Sequence, residues 1–226
     1  MKSFPAYDLE HWSDFVETCL SELKSLHLNQ LNEAIPVLKP TGAQAIIEQI
    51  LGHGESGKKQ LQSIFEFSNH LHHPGYIGHQ VVPPSIPSVM AALIGNYLNQ
   101  GMAIYDMGQS ATAIERWVVK KLLSFFNWQE GEGIMTSGGS IGNLTALLAA
   151  RQSVEDMWNE GVNPNYCVLV SADAHYCVDR AVRIMGFGSE AVVKVKPNTQ
   201  HKLDAAALEE ALINVRLKGK KVLAVV

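Results

Sequence analysis

The chain has 226 residues, 46% hydrophobic and 18% charged, with a formal net charge of -4. That composition suits a globular chain with one large core, or one core and an appendage. The slightly acidic balance leaves no electrostatic footprint for nucleic acid or an anionic membrane, and no apolar run is long enough to span a bilayer. The first ten residues lack a basic segment followed by an apolar run, which predicts no secretory signal. Cys19, Cys167 and Cys177 lack metal-type spacing and read as reduced thiols of a cytoplasmic protein, the last two as small buried apolar residues.

Leu9, Trp12, Phe15, Val16, Leu20 and Leu23 recur at helical spacing and predict a helix over about 8–29. A second helix is expected after Pro40, capped by Thr41, with Ile46, Ile47, Ile50 and Leu51 on its apolar side, and a third over about 58–70. Short and separately punctuated, the three read as an arm that needs another surface to cover, such as a second subunit. Residues 69–85 hold His70, His72, His73 and His79 among three prolines and two glycines, which predicts a long irregular segment. No carboxylate or cysteine joins these histidines at ligand spacing, so they read as solvated or substrate-facing and no metal site is expected.

A helix over about 88–100 and a break over 106–111 come next. Thr112 and Glu115 have the spacing of a capping box, and Ile114, Trp117, Val118, Leu122, Phe125 and Phe126 run along one side of the helix as an expected core stripe. Thr136 to Leu144 reads Thr-Ser-Gly-Gly-Ser-Ile-Gly-Asn-Leu. Two consecutive glycines let a ligand approach the backbone, and Ser140 can donate its hydroxyl or cap the following helix. The first amides of that helix have no internal partner and sit at the positive end of its dipole, which suits a phosphate. A Gly-Gly-Ser turn is more often plain punctuation between elements, and the loop alone is a weak signal for a phosphate.

Leu144, Leu147, Leu148 and Arg151 continue that helix to about Asn159. The apolar run 166–171 predicts a buried strand, 176–185 a helix and 191–195 a second strand. Asp204 caps a helix carrying Leu208, Ala211, Leu212 and Val215, and 221–226 is a third strand. This alternation predicts an α/β fold of parallel units with right-handed crossovers. A buried strand with no following helix to cover it predicts that the chain is the front part of a longer protein. Ligands of such sheets bind beyond the carboxyl ends of the strands, so the glycine loop and His175, just past the first strand, can face one crevice. A phosphorylated ligand against the His175 imidazole is the functional reading; a structural, helix-capping histidine is the other.

Four segments in order carry a resemblance to a known family: His73-Pro74 with Gly78-His79; Ala111 to Glu115; Gly138-Gly139-Ser140 with Asn143-Leu144 and the helix to Arg151; and Ser171 to Tyr176. The chain resembles the group II pyridoxal-phosphate-dependent amino-acid decarboxylases over about 69–190, and more loosely elsewhere. The resemblance implies the large domain of the pyridoxal-phosphate-dependent transferase-like fold (fold type I), incomplete over 76–226, behind a helical N-terminal arm over 1–75. It implies a cytoplasmic, homodimeric lyase of amino-acid metabolism, with pyridoxal 5′-phosphate as cofactor and a small amino acid as substrate. It assigns Gly139 and Ser140 to the cofactor phosphate and His175, as the catalytic residue, to the face of its pyridine ring. Tyr76, His79 and Gln80 would lie near the substrate side chain. Aromatic-specific members tend to carry aromatic residues in that segment, so His79 and Gln80 point instead to the diaminobutyrate-type or an unassigned bacterial branch. The family's cofactor-bearing lysine and pyridine-pairing aspartate would fall beyond Val226, so residues 1–226 alone are expected to be inactive; Lys194 and Lys218 read as solvated surface charges. An aminotransferase or desulfurase of the same fold, and a non-catalytic assembly module, are the alternatives.

Overall fold

The computed structural model describes residues 12–32, 48, 64–65 and 67–226. The chain divides into two compact units, residues 1–99 and 100–226. In the first, α1 spans Trp12–Asn32 and leaves Leu20, Leu23, Leu28 and Leu31 exposed. The second expected helix and most of the third lie outside the described residues. Residues 67–68 already form a turn, so the third helix stops short of His70. Residues 69–85 are irregular as expected, and the His72 ring meets His27 of α1 edge-on at 4.9 Å between centroids. The next helix, α2 (Ile86–Leu98), starts two residues earlier than its apolar pattern implied. Ser85 caps it by accepting from the Ser88 amide at 3.3 Å, and Pro87 sits in the first turn, where a missing N–H costs nothing.

The second unit opens with a 3₁₀ turn (Tyr105–Met107) and α3 (Gln109–Phe125). The capping box expected at Thr112 is not formed. Gly108 precedes the helix, and the Thr112 amide already donates to the Gly108 carbonyl at 2.9 Å, inside the first turn. Glu115 instead accepts from the Met135 amide at 2.8 Å, a contact spanning twenty residues that no local pattern encodes. The expected core stripe on α3 is likewise overturned: Ile114, Trp117, Leu122, Phe125 and Phe126 are all exposed, Phe126 at 72%. Both packed cores are built from elements after Gly139, and no side chain of α3 belongs to either.

Those elements are α4 (Gly139–Val154), a single turn α5 (Met157–Glu160), β1 (Tyr166–Ser171), α6 (Cys177–Ile184), β2 (Val192–Val195), α7 (Ala205–Leu217) and β3 (Lys221–Val225). The sheet order is β2-β1-β3, all parallel, with Val168 opposite Val192 and Tyr166 opposite Lys221. β1 is the central strand and its two faces separate cleanly. Tyr166, Val168 and Val170 pack with Leu147 of α4 and Val178, Ala181 and Val182 of α6. Cys167 and Leu169 pack with Val195 and with Val215 and Leu212 of α7. Period-two alternation on a strand covered by helices on both sides produces this division. Asp204 caps α7 as expected, accepting from the Ala206 and Ala207 amides at 2.9 and 3.0 Å.

The helix expected to run to Asn159 breaks at Glu155. That carboxylate accepts from Asn163 at 2.9 Å, from the Tyr166 hydroxyl at 3.0 Å and from Lys221 Nζ at 3.0 Å, tying the end of α4 to the feet of β1 and β3. The Asn163 amide, then Lys221 and Tyr166, hold the Glu155 carboxyl below its ordinary value, so the stabilisation is present above the ordinary carboxylate range and is lost as pH falls through the lowered value. Glu155→Gln is therefore expected to melt at a lower temperature than the wild type near neutral pH. The difference should shrink as pH falls, because the wild-type carboxylate is then also neutral. Thermal melts across the acid range check this, and a gap that stays constant with pH would refute it.

Candidate functional site

α4 starts on the glycine loop. The cap position is Gly138, with no side-chain hydrogen bond to the helix, and no acidic residue occupies the first turn. Ser140 is thus not the cap that the sequence allowed; it lies inside the first turn, and its hydroxyl is exposed and free of partners among the described residues. The amides of Gly139 and Ser140 are also unpaired there, whereas those of Ile141 and Gly142 bond back to the Gly138 carbonyl at 3.1 and 3.0 Å. A Cβ on Gly138 or Gly139 would project into open space, with no atom within 4 Å. Open backbone, free amides, a free hydroxyl and a first turn without an acidic residue fit the phosphate of a cofactor. The Thr136 hydroxyl donates to the Gly138 carbonyl at 3.2 Å, and Glu115 holds the Met135 amide, so both sides of the loop entry are fixed.

His175 follows the carboxyl end of β1, as expected. The Ala172 amide donates to the Val195 carbonyl at 2.8 Å and the Ala174 amide to the Ser171 carbonyl at 3.0 Å, closing a tight turn above the sheet. The imidazole is exposed and lies 4.2 Å from the Tyr176 ring, tilted by 35°. Its Nδ1 accepts from the Cys177 amide at 3.2 Å. The Cys177 thiol in turn accepts from Asn143 Nδ2 of α4 at 3.1 Å. The start of α4 and the start of α6 therefore meet, and the structure brings Gly139, Ser140 and His175 to the same end of the sheet. Cys167 is the plain core residue the sequence implied, 1% exposed, and burial raises its thiol pKa. Cys177 is buried too, but its sulfur and its amide both hold polar partners, which its apolar flank concealed.

Tyr76, His79 and Gln80 belong to the first unit and are gathered locally. Tyr76 folds back over Gly78, its hydroxyl 3.0 Å from where a Cβ would stand. His79 and Gln80 both adopt left-handed backbone (φ 44° and 53°) and are exposed. That conformation is uncommon for residues with a Cβ and turns both side chains out of any regular ladder. Among the described residues, no group of three histidine, cysteine, aspartate or glutamate side chains gathers to hold a metal. No described helix is long and apolar enough to cross a membrane. Lys194 pairs with Asp179 at 2.6 Å on the surface, in keeping with its reading as a solvated charge.

Residues 39–226 match the pyridoxal-dependent decarboxylase conserved domain. A glutamate decarboxylase-like protein of Gibberella zeae is 32% identical over 175 residues, covering 75% of this chain and 34% of that protein. The acidic amino acid decarboxylase GADL1 of Mus musculus is 26% identical over 226 residues, covering 95% of this chain and 41% of its own length. The chain thus spans well under half the length of these relatives. The crystal structure of the glutamate decarboxylase domain of a diaminobutyrate-pyruvate transaminase and L-2,4-diaminobutyrate decarboxylase from Vibrio parahaemolyticus superposes with a TM-score of 0.85. It is 24% identical, over 96% of this chain and 51% of that one, and establishes the α/β, fold type I architecture. The matches are to decarboxylases and do not favour the aminotransferase or desulfurase alternatives. With pyridoxal phosphate as its cofactor, the chain belongs to the pyridoxal-dependent decarboxylase family.

Proposed function

We propose that the full-length protein decarboxylates an L-amino acid to an amine and carbon dioxide, with Gly139 and Ser140 holding the phosphate of pyridoxal phosphate and His175 lying against its ring. The observation that carries this is the open cradle at the start of α4, with free Gly139 and Ser140 amides, joined to the His175 turn through Asn143 and Cys177. The bound cofactor supplies an electron sink for the pair left on the α-carbon when carbon dioxide departs. The residues of this chain supply orientation: two amides and a hydroxyl anchor the anionic end, and the imidazole restrains the plane of the ring. Tyr76, His79 and Gln80 are assigned to the substrate side chain. Two exposed polar side chains there suit a polar substrate better than an aromatic one, in keeping with relatives named for glutamate, acidic amino acids and L-2,4-diaminobutyrate.

Residues 1–75 are assigned as an arm and 76–226 as part of the cofactor-binding domain, within a cytoplasmic homodimer. Support for the homodimer comes from exposed apolar side chains in each unit, among them Leu93, Ile94 and Leu98 of α2 and Trp117 and Phe125 of α3. Sedimentation of the full-length protein is expected to give a dimer; a monomer at all accessible concentrations would overturn this assignment.

Two substitutions test the site. Ser140→Ala removes a hydrogen bond to a charged group and should weaken cofactor retention roughly tenfold, read from the visible absorbance left after dialysis. Unchanged retention would remove Ser140 from the phosphate. His175→Ala in the full-length protein should lower amine release roughly a hundredfold while leaving expression and melting temperature nearly unchanged. Wild-type turnover in that variant would exclude His175 from the site.

A further inference from the structure

We infer that Asn143 and Cys177 are positioning residues that set the tautomer and placement of His175 relative to the phosphate cradle; its role in catalysis rests on the function proposed above. An amide N–H can only donate. The Cys177 amide points at His175 Nδ1 from 3.2 Å, so Nδ1 is unprotonated and the neutral ring carries its proton on Nε2. The tautomer is therefore dictated by where the first residue of α6 stands. That residue is held from the other side, because Asn143 Nδ2 donates to the Cys177 thiol at 3.1 Å. Asn143 lies one turn beyond Gly139 and Ser140, and Cys177 lies two residues beyond His175. The pair forms one of the few polar links in the described structure between α4 and α6, which otherwise meet through Leu147, Val178, Ala181 and Val182. The drive to bury apolar surface is non-directional, whereas a hydrogen bond fixes distance and direction. The Asn143 to Cys177 bond thus acts as a clamp that holds the ring at a set offset from the cradle.

The clamp has a signature that general stabilisation of the fold would not produce. In full-length protein labelled at its histidine ring nitrogens, the His175 signals are identified by their loss in His175→Gln. They are expected to report an Nε2–H tautomer with or without cofactor. Asn143→Ala and Cys177→Ala are each expected to shift those signals toward a mixture of tautomers and to raise the pyridoxal phosphate Kd about fivefold, the size of one neutral hydrogen bond. Because both remove the same bond, the double variant should lose no more than either single one. Cys177→Ser keeps an acceptor in place and should restore the wild-type tautomer and bring affinity within about twofold. Additive losses in the double variant, or His175 nitrogen signals unmoved in both alanine variants, would overturn the clamp. If the wild type fails to bind pyridoxal phosphate, the proposed function fails, and the nitrogen signals of the cofactor-free protein still decide the clamp by themselves.

Discussion

β1 is buried on both faces, and that constraint places every core element of residues 100–226. Its five residues from Tyr166 to Val170 are almost inaccessible to solvent. A strand in that position must be covered from above and below, or its apolar side chains stay wet. α4 and α6 cover the face of Tyr166, Val168 and Val170, and α7 covers the face of Cys167 and Leu169. With β2 and β3 pairing in parallel on either side, each following helix returns antiparallel to the strands. The start of α6 is thereby delivered to the carboxyl end of β1, and α4, packed beside it, brings its own first turn to the same place.

The site follows from that convergence. Two helix starts side by side present several amides without internal partners, and the protein satisfies them unequally. At α6 the Cys177 amide is taken by His175 and the Val178 amide by the His175 carbonyl. At α4 the Gly139 and Ser140 amides are left open, with no carboxylate in the first turn. One helix start is therefore spent on orienting an imidazole and the other remains able to receive an anion. The same end of the sheet carries an exposed hydrogen bond between the Asp173 carboxylate and His201 Nδ1 at 2.8 Å, so polar groups gather at the carboxyl edge.

α3 illustrates the converse. Its apolar side chains recur with helical spacing, but the core on either side of β1 is built from α4, α6 and α7, and no side chain of α3 belongs to it. A polar contact ties α3 to the glycine loop: Glu115 reaches the Met135 amide at its entry. Its Val119 and Leu123, with Phe126 just past its end, line an apolar groove together with Trp128, Ile134 and Met135. The helix thus serves to hold the loop entry, and its stripe of large side chains stays open.

Local patterns in the sequence were enough to mark the secondary-structure elements. Continuous apolar runs marked β1, β2 and β3 to within a residue, Asp204 marked the start of α7, and paired glycines marked the start of α4. These signals are local, because hydrogen-bonding period, capping and the absence of a Cβ act within a few residues. Tertiary structure decided which periodic faces are buried, that Glu115 serves Met135 rather than a capping box, that Arg151 is buried with its guanidinium reaching the Met185 carbonyl at 3.4 Å, and that Cys177 is a polar link. Each of these depends on partners tens of residues away or on how much surface the sheet has left to offer, and amphipathic spacing shows only that a face could be buried, not what is there to bury it.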